Sequence, residues 1–378
     1  MDFDNIRNYM DLRTATVVPG CDCMICRDHE EIFRYTSGYA DADKHRYVEG
    51  NELYFLWSMS KVVTVSLAMK LYENGAFAMD DPISLYLPEF SQMKVKSVAE
   101  DRETIIPAKN PIRVRDLFAM TAGINYNISS KSLEEARKTT EKRCPTREMV
   151  RAMSREPLEF EPGGEWRYSL CHDVLGGLIE VVSGMRLRDY AKKVLFDPLE
   201  MIDTSYGLPR DDDKVSRLAV LYQYRENERR VVPTNNTCNF IFGDEYDSGG
   251  AGVISTCSDY MKFADALANF GLGANGYRFL SRDTVNLMRT NVLTDAQLKT
   301  FWFADCGYGY GYGVRTMIDK SRAGALSNIG EFGWAGAAGT YLLIDPQNHI
   351  SMFYVQHMRE SMEAYIHPRL RNVLYGCL

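Results

Sequence analysis

Residues 54–75, YFLWSMSKVVTVSLAMKLYENG, make an apolar run that carries a serine and a lysine three positions apart near its start. The density of Val62, Val63, Val65, Leu67, Ala68, Met69 and Leu71, followed by Gly75 as a stop signal, predicts a helix over 58–74 with little surface left for solvent. On such a helix, positions i and i+3 stack one turn apart, so Ser58 and Lys61 share a face. Upstream, residues 14–40 read as two strands, TATVV and then CDCMICRDHEEIFRYTSGYA after Pro19-Gly20. Alternation along the second strand puts Cys21 and Cys23 on one face and Cys26 on the other.

Downstream, the acidic turn Asp80-Asp81-Pro82 opens a long stretch of helical pattern that includes VRDLFAMTAGI, TREMVRAMSREP and CHDVLGGLIEVVSGMRLRDYAKKVLFDPLEM. Strand pattern returns in GYGYGYGVRTM, GTYLLID and HISMFYVQHM, and a final helix is expected over 359–376. The order strands, helices, strands predicts one α/β domain built from both chain ends, residues 1–80 and 230–378, with a mainly helical insertion at 81–229. A cleft is expected between them. The polar stretch DDDKVSRLAVLYQYRENE, residues 211–228, suits the return connection.

Composition narrows the function. The chain has 378 residues, 45% hydrophobic and 25% charged, enough for one large core or two joined subdomains. A net charge of -7 leaves no basic surplus for a phosphate backbone, which sets nucleic acid aside as a partner. The N-terminus MDFDNIRNYM is acidic, and no apolar run is long enough to span a bilayer, so a soluble cytoplasmic protein without membrane attachment is expected. Nine cysteines without a signal peptide favour reduced thiols, and Cys21, Cys23 and Cys26 lack the second ligand pair that zinc needs. Neither metal nor cofactor is expected. The GxGxxG run Gly271–Gly276 follows helical rather than strand pattern, so it lacks the context of a nucleotide loop. The alternation Gly307–Gly313 places Tyr308, Tyr310 and Tyr312 together on one strand face. No sequence feature speaks to oligomeric state.

The chemistry concentrates at Ser58 and Lys61. Burial strips water from an ammonium and favours its neutral, basic form, able to take a serine proton, while the backbone N–H at Ser58 is free to face an oxyanion. Taken alone, the pair equally describes a capping serine and a lysine that snorkels to the surface. A second segment, EFEPGGEWRYSLCHDVLGGLIEVVSG at 159–184, brings Tyr168-Ser169 into the start of a helix after a Pro-Gly-Gly turn.

Together these segments resemble the serine β-lactamase and penicillin-binding-protein superfamily, in the branch of class C β-lactamases, family VIII carboxylesterases and D-aminopeptidases. YADADKHRYVEGNELYFLWSMSKVVT resembles that family's approach to its nucleophile, DLFAMTAGI its DLLxHTSGL stretch, and VLFDPLEMIDTSYGLP its PLGMxxT segment. SGGAGVISTCSDYMKFADAL and GYGYGYGV follow in the family's order, so the resemblance covers most of the chain. It implies an α/β fold in which an antiparallel sheet is flanked by helices and carries an inserted all-helical subdomain. It also implies that Ser58 attacks, that Lys61 and Tyr168 move protons, and that an acyl-enzyme is later released by water. Tyr168 then serves as base for Ser58, as acid for the leaving group, or as both.

The family's third motif, KTG in lactamases, falls here on Trp334-Ala335-Gly336, and the backbone N–H of Ala337 would join that of Ser58 in an oxyanion hole. Two departures matter. Tyr168-Ser169-Leu170 lacks the Tyr-x-Asn amide, and Trp334 replaces the cation that would pair with a β-lactam carboxylate. Leu170, Trp334, Ala335 and Gly336 are thus the expected substrate contacts, and an indole offers apolar surface to a neutral group. Asp173 resembles the Tyr-Ser-x-x-x-Asp run of the esterase-like branch, with orientation of the helix start as its simpler role. The implied function is a serine hydrolase that cleaves a small-molecule ester or amide. The alternatives are a β-lactamase or D-amino-acid peptidase-like amidase, and a non-hydrolytic ligand-binding or assembly-forming member of the fold.

Overall fold

The computed structural model describes residues 1–99, 102–209 and 211–378. Among these, nine strands form one antiparallel sheet whose centre interleaves the two chain ends. Gly20–Arg27 pairs with Ile350–Val355, with Cys23 opposite Tyr354, and with Glu30–Asp41 on its other side. From Ile350–Val355 the sheet runs outward through Thr340–Asp345, Phe332–Gly333, Arg315–Met317 and Tyr308–Tyr310, while Ala335–Gly336 pairs separately with Thr340–Asp345.

Both faces of the sheet are covered. The terminal helices Asp4–Thr14 and Glu363–Cys377 bury Ile6, Met10, Ile366, Leu370 and Leu374 against Cys21, Cys23 and Ile25 on one face. On the other face lie Met24 and Cys26 with the helix Cys257–Ala268. The strand's period of two therefore separates the cysteines as its sequence predicts. All nine are free, and among the described residues no cluster of His, Cys, Asp or Glu is placed to hold a metal.

The TATVV segment is not a strand. Phe3, Ile6 and Met10 repeat at helical spacing and point into the core, so a helix occupies Asp4–Thr14, and the first strand begins only at Gly20. Three apolar anchors in an acidic run left the helix without a strong sequence signal. The Gly307–Gly313 run is also not one strand. It is the first arm and turn of a hairpin, reversing where Gly311 N–H donates to the Val314 carbonyl, so Tyr312 sits in the turn and packs on Phe118 at 5.4 Å.

Between residues 81 and 229 lie the helices Val114–Ala119, Lys131–Thr139, Thr146–Met153 and Cys171–Ser183, together with a β-hairpin, Lys94–Ala99 and Arg102–Pro107. The polar stretch after Arg210 folds as a short helix and a hairpin, Tyr222–Arg225 with Arg230–Pro233. The helix Ser60–Glu73 joins these parts. It is buried on nearly every position, Ser60, Lys61, Thr64 and Ser66 included, and shares one continuous core with Cys171–Ser183. No described helix is long and apolar enough to cross a membrane.

Candidate functional site

Ser58 lies in a single 3₁₀ turn, Trp57–Met59, that leads into the central helix starting at Ser60. The turn is pinned from several directions. Leu56 N–H donates to the Val253 carbonyl at 3.0 Å, Val253 N–H donates to Ser60 Oγ at 2.9 Å, and the Tyr260 hydroxyl donates to the Met59 carbonyl at 2.9 Å. Trp57, immediately before Ser58, has φ +50°, a left-handed conformation that costs a bulky residue about 1–2 kcal/mol. Packing holds it there: the indole is buried, edge-on to Phe240 and beneath the Arg359 guanidinium.

Lys61 is fully buried one turn on. Its Nζ donates to the Gly250 carbonyl at 2.8 Å and to Ser58 Oγ at 3.4 Å. It also stands 4.6 Å from the ring centroid of Tyr168 and 5.8 Å from that of Tyr126. Tyr168 comes from the segment entering the helix Cys171–Ser183, and its hydroxyl donates to Ser58 Oγ at 2.5 Å. The hydroxyl, amine and phenol singled out by sequence thus meet at one point.

The Trp334–Ala337 segment reaches the same point through a glycine. A Cβ at Gly336 would lie 2.2 Å from Thr340 Oγ1 and 2.5 Å from the Leu56 carbonyl oxygen, so only glycine lets this strand end press against the turn that carries Ser58. Ala337 is exposed and Ala335 half-buried at the edge of that contact. Trp334 departs from expectation. Its indole is 4% exposed, stacked on Tyr168 at 5.9 Å and edge-on to Tyr310 at 5.4 Å, so it backs the phenol instead of presenting an open face to a ligand. Leu170 departs further: it is 1% exposed and belongs to the core, with no surface to offer a substrate.

Asp173 does not cap its helix. Its Oδ1 accepts from the Tyr246 and Ser248 hydroxyls, both at 2.7 Å, while Oδ2 has no partner. A Cβ added at Gly250 would lie 2.5 Å from that oxygen and 3.2 Å from Lys61 Nζ, so carboxylate and amine flank the same bare backbone. Neighbouring His172 is fully buried, and burial together with the Lys61 charge lowers its imidazole to about 3. It is therefore neutral and unsuited to general-base work at neutral pH.

Several side chains at the site carry no sequence signal of their own. Tyr126 packs edge-on to Tyr168 at 5.2 Å, and burial pushes its phenol well above the ordinary tyrosine range. Trp302 meets Tyr168 at 5.0 Å, and Phe240 borders Tyr126 at 5.3 Å. Each comes from a loop distant in sequence. Ser248 and Gly250 sit within SGGAGVISTCSDY, whose position in the chain was legible although its role was not.

The sequence profile of the family described as Beta-lactamase matches residues 4–374. The chain belongs to the β-lactamase family. Esterase EstB of Burkholderia gladioli is 24% identical to this family member over 385 residues, covering 94% of this chain and 91% of its own. Two solved structures show the same fold. EstCE1, a hydrolase with promiscuous acyltransferase activity, superimposes with a TM-score of 0.80 at 24% identity, covering 99% of this chain and 98% of that one. Unliganded selenomethionyl simvastatin synthase LovD from Aspergillus terreus gives 0.82 at 20% identity, covering 98% and 97%. Membership of the β-lactamase family makes this a serine-hydrolase-type enzyme.

Proposed function

We propose that this protein is a serine esterase that cleaves a small-molecule ester through an acyl-enzyme. The observation that carries the reading is the convergence of the Tyr168 hydroxyl and the Lys61 amine on Ser58 Oγ. Ser58 Oγ attacks the ester carbonyl, forming a C–O bond while the carbonyl π electrons move onto oxygen. Its proton passes into the Lys61–Tyr168 unit. The oxyanion faces the backbone N–H groups of Ser58 and Ala337. Collapse expels the alcohol, which takes a proton from the same unit, and water then repeats the sequence on the acyl-enzyme, releasing a carboxylic acid.

Proton transfer needs no distant partner here, because both candidate carriers already lie in contact with Ser58. Tyr168 donates to Ser58 in the resting arrangement. To receive the serine proton, the phenol must first pass its own toward Lys61; otherwise the Lys61 amine receives it directly. The two groups act as a pair, both in contact with the serine oxygen. Ester is favoured over β-lactam because the Trp334-Ala335-Gly336 motif supplies no cation to pair with a lactam carboxylate. The description of EstB as an esterase, and of EstCE1 as a hydrolase with promiscuous acyltransferase activity, agrees with this reading.

The test is a fluorophosphonate probe followed by peptide mapping, with p-nitrophenyl acetate and nitrocefin assayed in parallel. Labelling at Ser58, loss of label in Ser58→Ala, and ester turnover well above nitrocefin turnover are expected. A protein that resists the probe and leaves both substrates intact is not a serine esterase.

A further inference from the structure

In the segment Thr300-Phe301-Trp302-Phe303, Phe301 is buried and Phe303 half-buried, whereas Trp302 is 60% exposed. This is a large apolar surface to leave in water, and it is placed beside the reaction centre. The Trp302 ring lies 5.0 Å from Tyr168 at a 40° tilt and meets Trp166 edge-on at 5.2 Å. Tyr168 in turn reaches Ser58 Oγ at 2.5 Å. Trp302 is therefore held by contact with two aromatic rings while most of its surface stays exposed, one ring away from the nucleophile.

The surrounding chemistry selects what can lie on it. Phe303 packs edge-on against Trp334 at 6.0 Å, Tyr126 meets Tyr168 at 5.2 Å, and Phe240 lies 5.3 Å from Tyr126. These rings form an aromatic cluster around the phenol. Lys61 turns its amine toward Gly250 and the Tyr168 ring, so it presents no open cation to a bound carboxylate. Apolar chains gain from burial on any such surface, but a flat ring gains a further stacking term that an alkyl chain does not.

We infer that Trp302 is a specificity-determining platform that selects esters bearing a flat, neutral aromatic ring. This deepens, and rests on, the proposed esterase reading. The ring belongs to the acyl part or to the alcohol part of the ester, and the choice of substrates separates the two sources.

The experiment compares kcat/KM for ethyl phenylacetate and phenyl acetate with that for ethyl butyrate, by pH-stat, in the parent, Trp302→Ala and Trp302→Phe. Trp302→Ala should lower the aryl-to-alkyl ratio about fivefold to tenfold for whichever aryl ester uses the platform, and Trp302→Phe should recover part of it. A ratio that stays constant for both aryl esters overturns the inference, whether the absolute rates fall together or not at all. Affinity for phenylboronic acid relative to butylboronic acid gives a second readout: the preference should weaken in Trp302→Ala, and an unchanged preference counts against the platform. Failure of the underlying reading looks different. In that case the parent turns over none of the esters and Ser58 takes no fluorophosphonate.

Discussion

Tyr168 donates to Ser58 Oγ at 2.5 Å from a ring that Trp334 stacks on at 5.9 Å and Trp302 meets at a tilt at 5.0 Å. These ring contacts are independent of the hydroxyl, so Tyr168→Phe should keep the ring and lose only the proton path. We expect kcat for p-nitrophenyl acetate to fall about 10²- to 10⁴-fold, with an unchanged circular dichroism spectrum. Activity within twofold of the parent would remove Tyr168 from the proposed mechanism.

Gly250 separates Lys61 from Asp173. A methyl group there would press on Asp173 Oδ2 at 2.5 Å and on Lys61 Nζ at 3.2 Å, in a region with no open space. Gly250→Ala should therefore destabilise the fold by about 1–3 kcal/mol and displace the amine from Ser58. Chemical denaturation and ester turnover are the measurements; a variant equal to the parent in both shows that the loop yields freely.

Asp173 gathers the Tyr246 and Ser248 hydroxyls on one oxygen. In Asp173→Asn the amide nitrogen must replace either that acceptor or the oxygen facing Gly250 and Lys61. One orientation orphans two buried hydroxyls, and the other sets a donor towards an amine. A loss of about 1–3 kcal/mol follows in either case. Urea unfolding that gives the same stability for both proteins contradicts the assignment.

Acid sensitivity has a traceable source in His357. Burial lowers this imidazole from 6.5 to about 4, and its Nε2 accepts the Phe55 N–H, which fixes Nδ1 as the donor to the Val220 carbonyl. Unfolded chains thus take up this proton before folded ones do. The stability it contributes is complete above pH 6.5 and is lost as pH falls towards 4. In His357→Gln that loss disappears, so between pH 6 and 4.5 the parent should lose about 1.4 kcal/mol per pH unit more than the variant. Parallel stability–pH curves would show that His357 titrates normally.

Trp334 and Leu170 show where sequence reasoning overreached. Both were expected to meet substrate because of their place in a motif, yet one is enclosed by Tyr168 and Tyr310 and the other by the core. Exposure depends on every neighbouring surface at once, and a motif records only its own strand or turn. Trp302 errs in the opposite sense. Nothing in FWF distinguishes the indole that stays in water from the phenyl groups on either side.

The sequence by itself determined what is set within a few residues. Ser58 and Lys61 had to share a face because helical geometry brings i and i+3 together, and Cys21, Cys23 and Cys26 had to divide between the sheet's faces because strands alternate. Only the tertiary structure decided which distant groups complete the site. Tyr168 is 110 residues from Ser58, and Gly250 is 189 from Lys61. Their meeting depends on how the central helix packs against Cys171–Ser183 and how the Trp57–Met59 turn meets the sheet edge, and that packing is a property of the assembled core instead of any one segment.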